Sequence, residues 1–237
     1  MNLFIILLNK GINLLKYPIA IVLAFLTLEL FKILYEIIEI IYHQQTFYKY
    51  LFIGMGAYFL IWIVFFNNNR GNWFLTIEHE LTHTLFALLT FHKIVDFKAT
   101  ENLGGHMQFS GVGGGNWLIT IAPYFFPTFS MIIVGFIYLS QSQYYPTLIA
   151  LLGYSIVYHI HSTYIETSIQ QPDIQEVGLT FSFLFLPAAN LFALIGILAA
   201  IPNDKIDFMK ISERLYHYGT LHFLNLLGFI KEVLQTM

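Results

Sequence analysis

The sequence predicts an all-α polytopic membrane protein, with about six membrane helices and a small β-hairpin after the helix that carries a His-Glu-x-x-His motif. Three observations lead there. The 237 residues are 57% hydrophobic and only 11% charged, about half the charge fraction of an ordinary soluble domain, and mean hydropathy is +0.67. Apolar stretches of spanning length recur at 17–41, 50–66, 73–91, 116–140, 146–166 and 178–201. Between the third and fourth lies an interval, His92 to Gly115, that is too polar to span and reads as short strands.

The elements follow in order. Met1-Asn2-Leu3-Phe4-Ile5-Ile6-Leu7-Leu8-Asn9-Lys10 is apolar from the start and lacks a basic n-region and an Ala-x-Ala cleavage site. It reads as an interfacial helix leading into the first span, not a removable signal peptide. In the first stretch Glu29, Lys32, Glu36 and Glu39 recur at three- or four-residue intervals and so share one helical face. Glu29/Lys32 and Lys32/Glu36 have the spacing of intrahelical ion pairs. Such a seam faces other helices or emerges from the bilayer, or else lines a polar path for water or substrate. Asn67-Asn68-Asn69-Arg70-Gly71-Asn72 separates the second stretch from the third. Ile94–Thr100 and Gly105–Ser110 read as strands around Glu101-Asn102-Leu103-Gly104, and Gly111 with Gly113-Gly114-Gly115 allows a turn back into the membrane. Pro123 and Pro127 should kink or unwind the next helix. Pro202-Asn203-Asp204 ends the last stretch. Beyond it Ile206, Met209, Leu215, Leu221, Leu224, Leu227 and Ile230 alternate with polar residues, as in an amphipathic tail lying on the membrane surface. With no repeat or flexible linker, the chain reads as one integral-membrane domain, 1–237, with its tail at 203–237.

Charge and cysteine content narrow the chemistry. Net charge is −3 with no basic tract, so nucleic acid is not an expected partner; the lipid bilayer is. With no cysteine, disulfides and thiolate ligands are excluded, and any metal must be held by His and carboxylates.

The third stretch carries Thr76-Ile77-Glu78-His79-Glu80-Leu81-Thr82-His83-Thr84. On a helix His79 and His83 lie four residues apart on one face, where both imidazoles can reach one metal ion. Glu80 stands beside the first of them, where it can take a proton from an attacking water. Ionisable groups within an apolar helix are costly in lipid and must face a partner inside the bundle. Two histidines do not complete a catalytic zinc site, which uses three protein ligands and an open position. Glu166, Asp173 and Glu176 lie in or near the break between the fifth and sixth stretches, with His159 and His161 just before it. Asp173 stands out because it follows Pro172, which can break a helix and fix the next side chain's direction. Two spans separate the 92–115 region from 167–177, so both face the same side, and the later turns of the motif helix point there too.

His79-Glu80-x-x-His83 on a membrane helix, a hairpin after it, two further spans and a Pro-Asp element together resemble the site-2 protease family of intramembrane zinc metallopeptidases. The likeness is to its compact branch without a PDZ domain and covers about 73–200. It implies that His79, His83 and Asp173 bind one Zn²⁺, that Glu80 is the general base, and that the substrate is a membrane protein or peptide cut in a bacterial-type cytoplasmic membrane. The chain departs from the family pattern around the third ligand. Gln170-Gln171-Pro172-Asp173 replaces the usual Asn-x-x-Pro, Ile174 stands where Gly is common, and Thr82 takes the small-residue position inside the motif.

His106, in the hairpin, is a candidate oxyanion or substrate contact. His159 and His161, two apart and hence on different helix faces, are candidates for supporting the metal ligands or for packing. Asn190 is expected to hydrogen-bond between helices. Two other classes compete. A membrane di-iron oxygenase or desaturase is faintly suggested by His79-x-x-x-His83 and His159-x-His161, but such enzymes need more, paired histidine boxes. A non-catalytic membrane chaperone or adaptor could keep the same fold, although an intact Glu80 argues against it. Orientation divides the signals. With six spans and the N-terminus inside, the Lys/Arg distribution puts the motif side outside, whereas the resemblance implies a site opening to the cytoplasm.

Overall fold

The computed structural model describes residues 2–63, 72–100, 104–111, 114–202 and 206–236. The chain forms helices α1 (Asn2–Leu14), α2 (Lys16–His43), α3 (Gln45–Ile61) and α4 (Asn72–Leu89), then strands β1 (Ile94–Thr100) and β2 (Gly104–Phe109). There follow α5 (Trp117–Ile121), α6 (Thr128–Leu139), α7 (Tyr145–Glu166), α8 (Pro172–Val177), α9 (Leu179–Ala199) and α10 (Phe208–Thr236). The hairpin is antiparallel, pairing Phe97 with Met107 and Lys98 with His106, with an irregularity at Val95. Part of the expected break before α4, residues 67–71, and the first three hairpin-turn residues, 101–103, lie outside the described residues, as do Asn203 and Asp204.

Among the described residues the six apolar stretches are largely helical, but they differ in membrane character. Among the described residues, Ser142–Glu166 and Leu179–Ala199 are long and apolar enough to cross a bilayer. Trp117–Tyr124 with Thr128–Leu139 makes a third if the pair, bent by 83°, counts as one span. The bend falls where Pro123 and Pro127 sit: α5 gives way to a 3-10 turn at Ala122–Tyr124 before α6 begins. The first stretch, now α2, bears Glu29, Lys32, Glu36 and Glu39 and is not among these spans.

The bundle core is built by helical periodicity. Leu30, Ile33, Ile37 and Ile41 on α2 form a buried stripe that packs with Leu191, Ile195 and Leu198 on α9. A second cluster joins Trp117 and Tyr124 to Phe181 and Phe185 at the start of α9. Helices α3 and α7 cross at van der Waals closeness through glycine. A Cβ on Gly54 would sit 1.7 Å from the Ala150 carbonyl oxygen, and one on Gly153 would sit 2.1 Å from that of Leu51. Small residues at such a crossing let membrane helices gain dispersion contact where no hydrophobic drive separates helix from lipid.

The polar seam of α2 finds its partner in the tail. Glu29 is buried, and Arg214 of α10 donates from Nε to Glu29 Oε1 at 2.5 Å and from Nη1 to Glu36 Oε2 at 2.6 Å. Lys32 lies 3.5 Å from Glu29, while Glu39 accepts from the Tyr35 hydroxyl at 2.8 Å. The tail helix therefore docks on α2 through a charge pair whose Glu29 side is buried and whose Arg214 side is partly exposed.

The α3–α7 crossing supports a test. Gly54→Ala should lower the unfolding midpoint in detergent by a stability change of about 1–3 kcal/mol, the usual cost of overpacking. Gly56→Ala, where an added Cβ meets nothing within 4 Å, should not lower that midpoint and should raise it slightly, since alanine favours a helix interior.

Candidate metal centre

The motif sits in the middle of α4, so His79 and His83 share a face and their rings lie edge to face with centroids 4.7 Å apart. Asp173 arrives from a different part of the chain. Gln171 stands at the N-cap, Pro172 opens α8, and Asp173 falls in the first turn, where proline's fixed φ starts a helix without loss of a donor. His79 Nε2, His83 Nε2 and Asp173 Oδ2 converge. Their separations are 3.1 Å between the imidazole nitrogens, 3.3 Å from His79 to Asp173 and 3.4 Å from His83 to Asp173. Zinc bonds of about 2.0–2.1 Å in a tetrahedron put ligand atoms about 3.3–3.4 Å apart, so three edges of such a tetrahedron are already in place.

Hydrogen bonding decides which ring nitrogens face the centre. His83 Nδ1 lies 2.8 Å from the carbonyl oxygen of Ile119. A carbonyl only accepts, so that nitrogen carries the proton and Nε2 presents its lone pair. His79 Nδ1 faces the Glu166 carboxylate at 3.4 Å, which selects the same tautomer. Two bare nitrogens and a carboxylate oxygen then face one another in a partly buried site, an arrangement that could hold a metal ion. Asp173 Oδ2, which accepts from the Tyr124 hydroxyl, supplies the carboxylate member of the set.

Three supporting residues were not anticipated in their roles. Tyr124, fully buried in the turn between Pro123 and Pro127, donates its hydroxyl to Asp173 Oδ2 at 3.0 Å, with its ring edge-on to His79. Its carbonyl accepts from Asn190 Nδ2 at 2.9 Å, the interhelical bond expected of that asparagine. Glu166, at the end of α7, orients His79, and the Ile119 carbonyl of α5 orients His83. The unwound Pro123–Pro127 segment and the short α5 before it are therefore the scaffold for two sides of the centre. Sequence signals existed for two of these: Glu166 lies close before Asp173, and Tyr124 lies between two helix-breaking prolines.

Glu80 is buried beside the centre, and strand β2 passes directly over it. A Cβ on Gly105 would fall 2.3 Å from Glu80 Oε1, so only glycine leaves room for that carboxylate. A cavity of about 620 Å³ opens from His79, Glu80, His83 and Asp173 and is walled by His106, Met107 and Phe109 of the hairpin and by Gln171 and Glu176 near α8. His106 is exposed on its rim. His159 and His161 do not line the cavity. His161 Nδ1 pairs with the Tyr58 hydroxyl at 2.5 Å, and its ring packs edge-on to Trp62, so it joins α7 to α3. His159 is buried between helices near Asn190 and the Phe125 backbone. A pattern of paired histidine boxes around one centre is therefore not assembled among the described residues.

The donor set predicts one equivalent of tightly held Zn²⁺, read by metal analysis of protein purified without added chelator. His79→Ala and Asp173→Ala should each lose it. Because protons compete for the same imidazole lone pairs, affinity should fall as pH drops below about 6.5, the ordinary range of histidine.

A model of the Peptidase M50B-like family matches residues 51–165. No curated protein and no solved structure matches this chain. The matched segment includes the motif helix, the hairpin and the Pro123–Pro127 break, and ends before Glu166 and Asp173.

Proposed function

We propose, from the match of residues 51–165 to a model of the Peptidase M50B-like family, that the chain is an intramembrane zinc metallopeptidase cutting membrane-associated proteins or peptides. The family match and the apolar helices support a membrane metallopeptidase. The finer reading assigns His79, His83 and Asp173 as ligands of one zinc ion and Glu80 as general base. The observation that carries it is the convergence of two proton-free imidazole nitrogens and one carboxylate oxygen at tetrahedral-edge distances, with a buried glutamate alongside.

The residues have separable tasks. Bound zinc supplies Lewis acidity that activates water and polarises the scissile carbonyl. Glu80 takes the proton of the attacking water and delivers it to the departing amine. Asp173, held by Tyr124, and His79, held by Glu166, keep the ligand face from drifting as charge develops. A peptide bond in a membrane helix is shielded by its own hydrogen bonds, so the substrate must be unwound before attack. The hairpin edge beside Glu80 suits an extended segment added as a strand, and His106 on the rim is positioned to contact it. The polar-walled cavity brings water to a site otherwise surrounded by apolar helices. All six apolar stretches belong to the membrane-embedded body in this reading, with α10 at the surface.

The reading is tested with a pool of transmembrane-segment peptides incubated with protein in detergent micelles, with new termini identified by mass spectrometry. Glu80→Gln should retain zinc and abolish cleavage. Cleavage undiminished in Glu80→Gln would refute the mechanism, and partner binding that ignores Glu80 would favour an adaptor. Gly105→Ala, which forces a methyl group onto Glu80, should keep zinc and lower the cleavage rate by about tenfold or more, the scale of a displaced catalytic group.

A further inference from the structure

Helix α1 ends against the motif region, and its contacts there are polar. Asn9 is 1% exposed although the helix around it is apolar. Its Nδ2 donates to the Gly114 carbonyl at 2.8 Å and lies 3.1 Å from His92 Nε2. Its Oδ1 accepts from Asn116 Nδ2 at 2.8 Å. One turn on, Asn13 Oδ1 accepts from the Trp117 backbone N–H at 3.1 Å, and Asn13 Nδ2 donates to Gly115 O at 3.3 Å.

These bonds join two elements that meet at the metal centre. His92 sits just past the end of α4, which closes with Phe91 in the left-handed region (φ 63°) and His92 N–H bonded back to Ala87. His92 Nδ1 faces the Thr90 hydroxyl at 3.0 Å, and that hydroxyl donates to Phe86 O. Asn116 is the N-cap of α5, its Oδ1 accepting from Ile119 N–H at 3.2 Å. The carbonyl of that same Ile119 orients His83. Asn9 therefore bolts the end of the helix that carries His83 to the start of the helix that fixes the ring of His83.

We propose that α1 is a working part of the metal centre and that Asn9 is a positioning residue, acting through Asn116 and Ile119 to hold His83 in its metal-binding orientation. The inference rests on the zinc site proposed above. A buried asparagine that satisfies three partners at a helix junction fixes geometry more than it adds stability. A five-residue helix such as α5 has little order of its own and depends on its cap.

The test measures zinc affinity of the full chain in detergent by competition with a chromophoric chelator, alongside the unfolding midpoint of the zinc-free protein. Asn9→Ala should weaken zinc binding about tenfold or more, the range for residues that orient metal ligands. The Asn9→Ala/Asn116→Ala double variant should be little weaker than the worse single, because both lie on one chain of bonds. Ile5→Ala, a buried apolar position on the same helix, should lower the unfolding midpoint without a matching loss of zinc affinity. Unchanged affinity in Asn9→Ala, or an equal loss in Ile5→Ala, overturns the proposal. If Asn9→Ala does not fold, Asn13→Ala is read in its place, with weakened binding expected and unchanged affinity overturning the proposal. Absence of zinc binding in the unsubstituted protein overturns both this inference and the peptidase reading, whereas normal binding there with unaffected variants overturns this inference alone.

Discussion

Two imidazole nitrogens and a carboxylate oxygen, all lone-pair donors, face one another at 3.1–3.4 Å inside an apolar bundle. Lone pairs brought together in a partly buried site are stabilised by a metal ion or a shared proton between them. That constraint organises much of what surrounds it. α4 must present its motif face inward, α8 must begin at Pro172 so that Asp173 can arrive from outside the spans, and the α5–α6 pair must break so that Tyr124 and Ile119 can offer a hydroxyl and a carbonyl. Pro123 has no N–H to offer the carbonyl four residues before it, so the Ile119 carbonyl is left free to orient the ring of His83.

The rest of the bundle can be seen as support for that arrangement. Close α3–α7 packing through Gly54 and Gly153 fixes α7, whose last residue, Glu166, orients His79. The α2–α9 interface fixes α9, whose Asn190 holds the turn that carries Tyr124. Glu78, next to His79, accepts from the Phe129 N–H at 3.3 Å and so ties α4 to the first turn of α6. The tail is secured by Arg214 on Glu29 and Glu36, which makes the α2 seam a docking strip for α10.

Much of the site was legible in the sequence because its signals are local. His79-Glu80-x-x-His83 has a fixed helical spacing. The hairpin follows from alternation, and the bend follows from two prolines whose missing N–H groups cannot continue a helix. Asp173 could be singled out because Pro172 precedes it and two spans bring it to the motif's side. The histidines were less legible. His159 and His161 have the same residue type and proximity in sequence, yet one is buried between helices and the other pairs with Tyr58. Their spacing puts them on different faces, but which face turns toward His79 and Asp173 depends on the rotation of α7 in the bundle.

The sequence by itself determined the membrane character, the helix that bears the motif, the hairpin, the break and the set of groups able to bind a metal, since composition and periodicity act over a few residues. Only the tertiary structure decided the partners. Arg214 meets Glu29 across 185 positions, Asn9 meets Asn116 across 107, and Tyr124 meets Asp173 across 49. Local propensity carries no information over such separations. Each choice is set by which helices pack together and how each is turned about its axis, because a buried polar group must be satisfied by whatever that packing brings within about 3 Å of it.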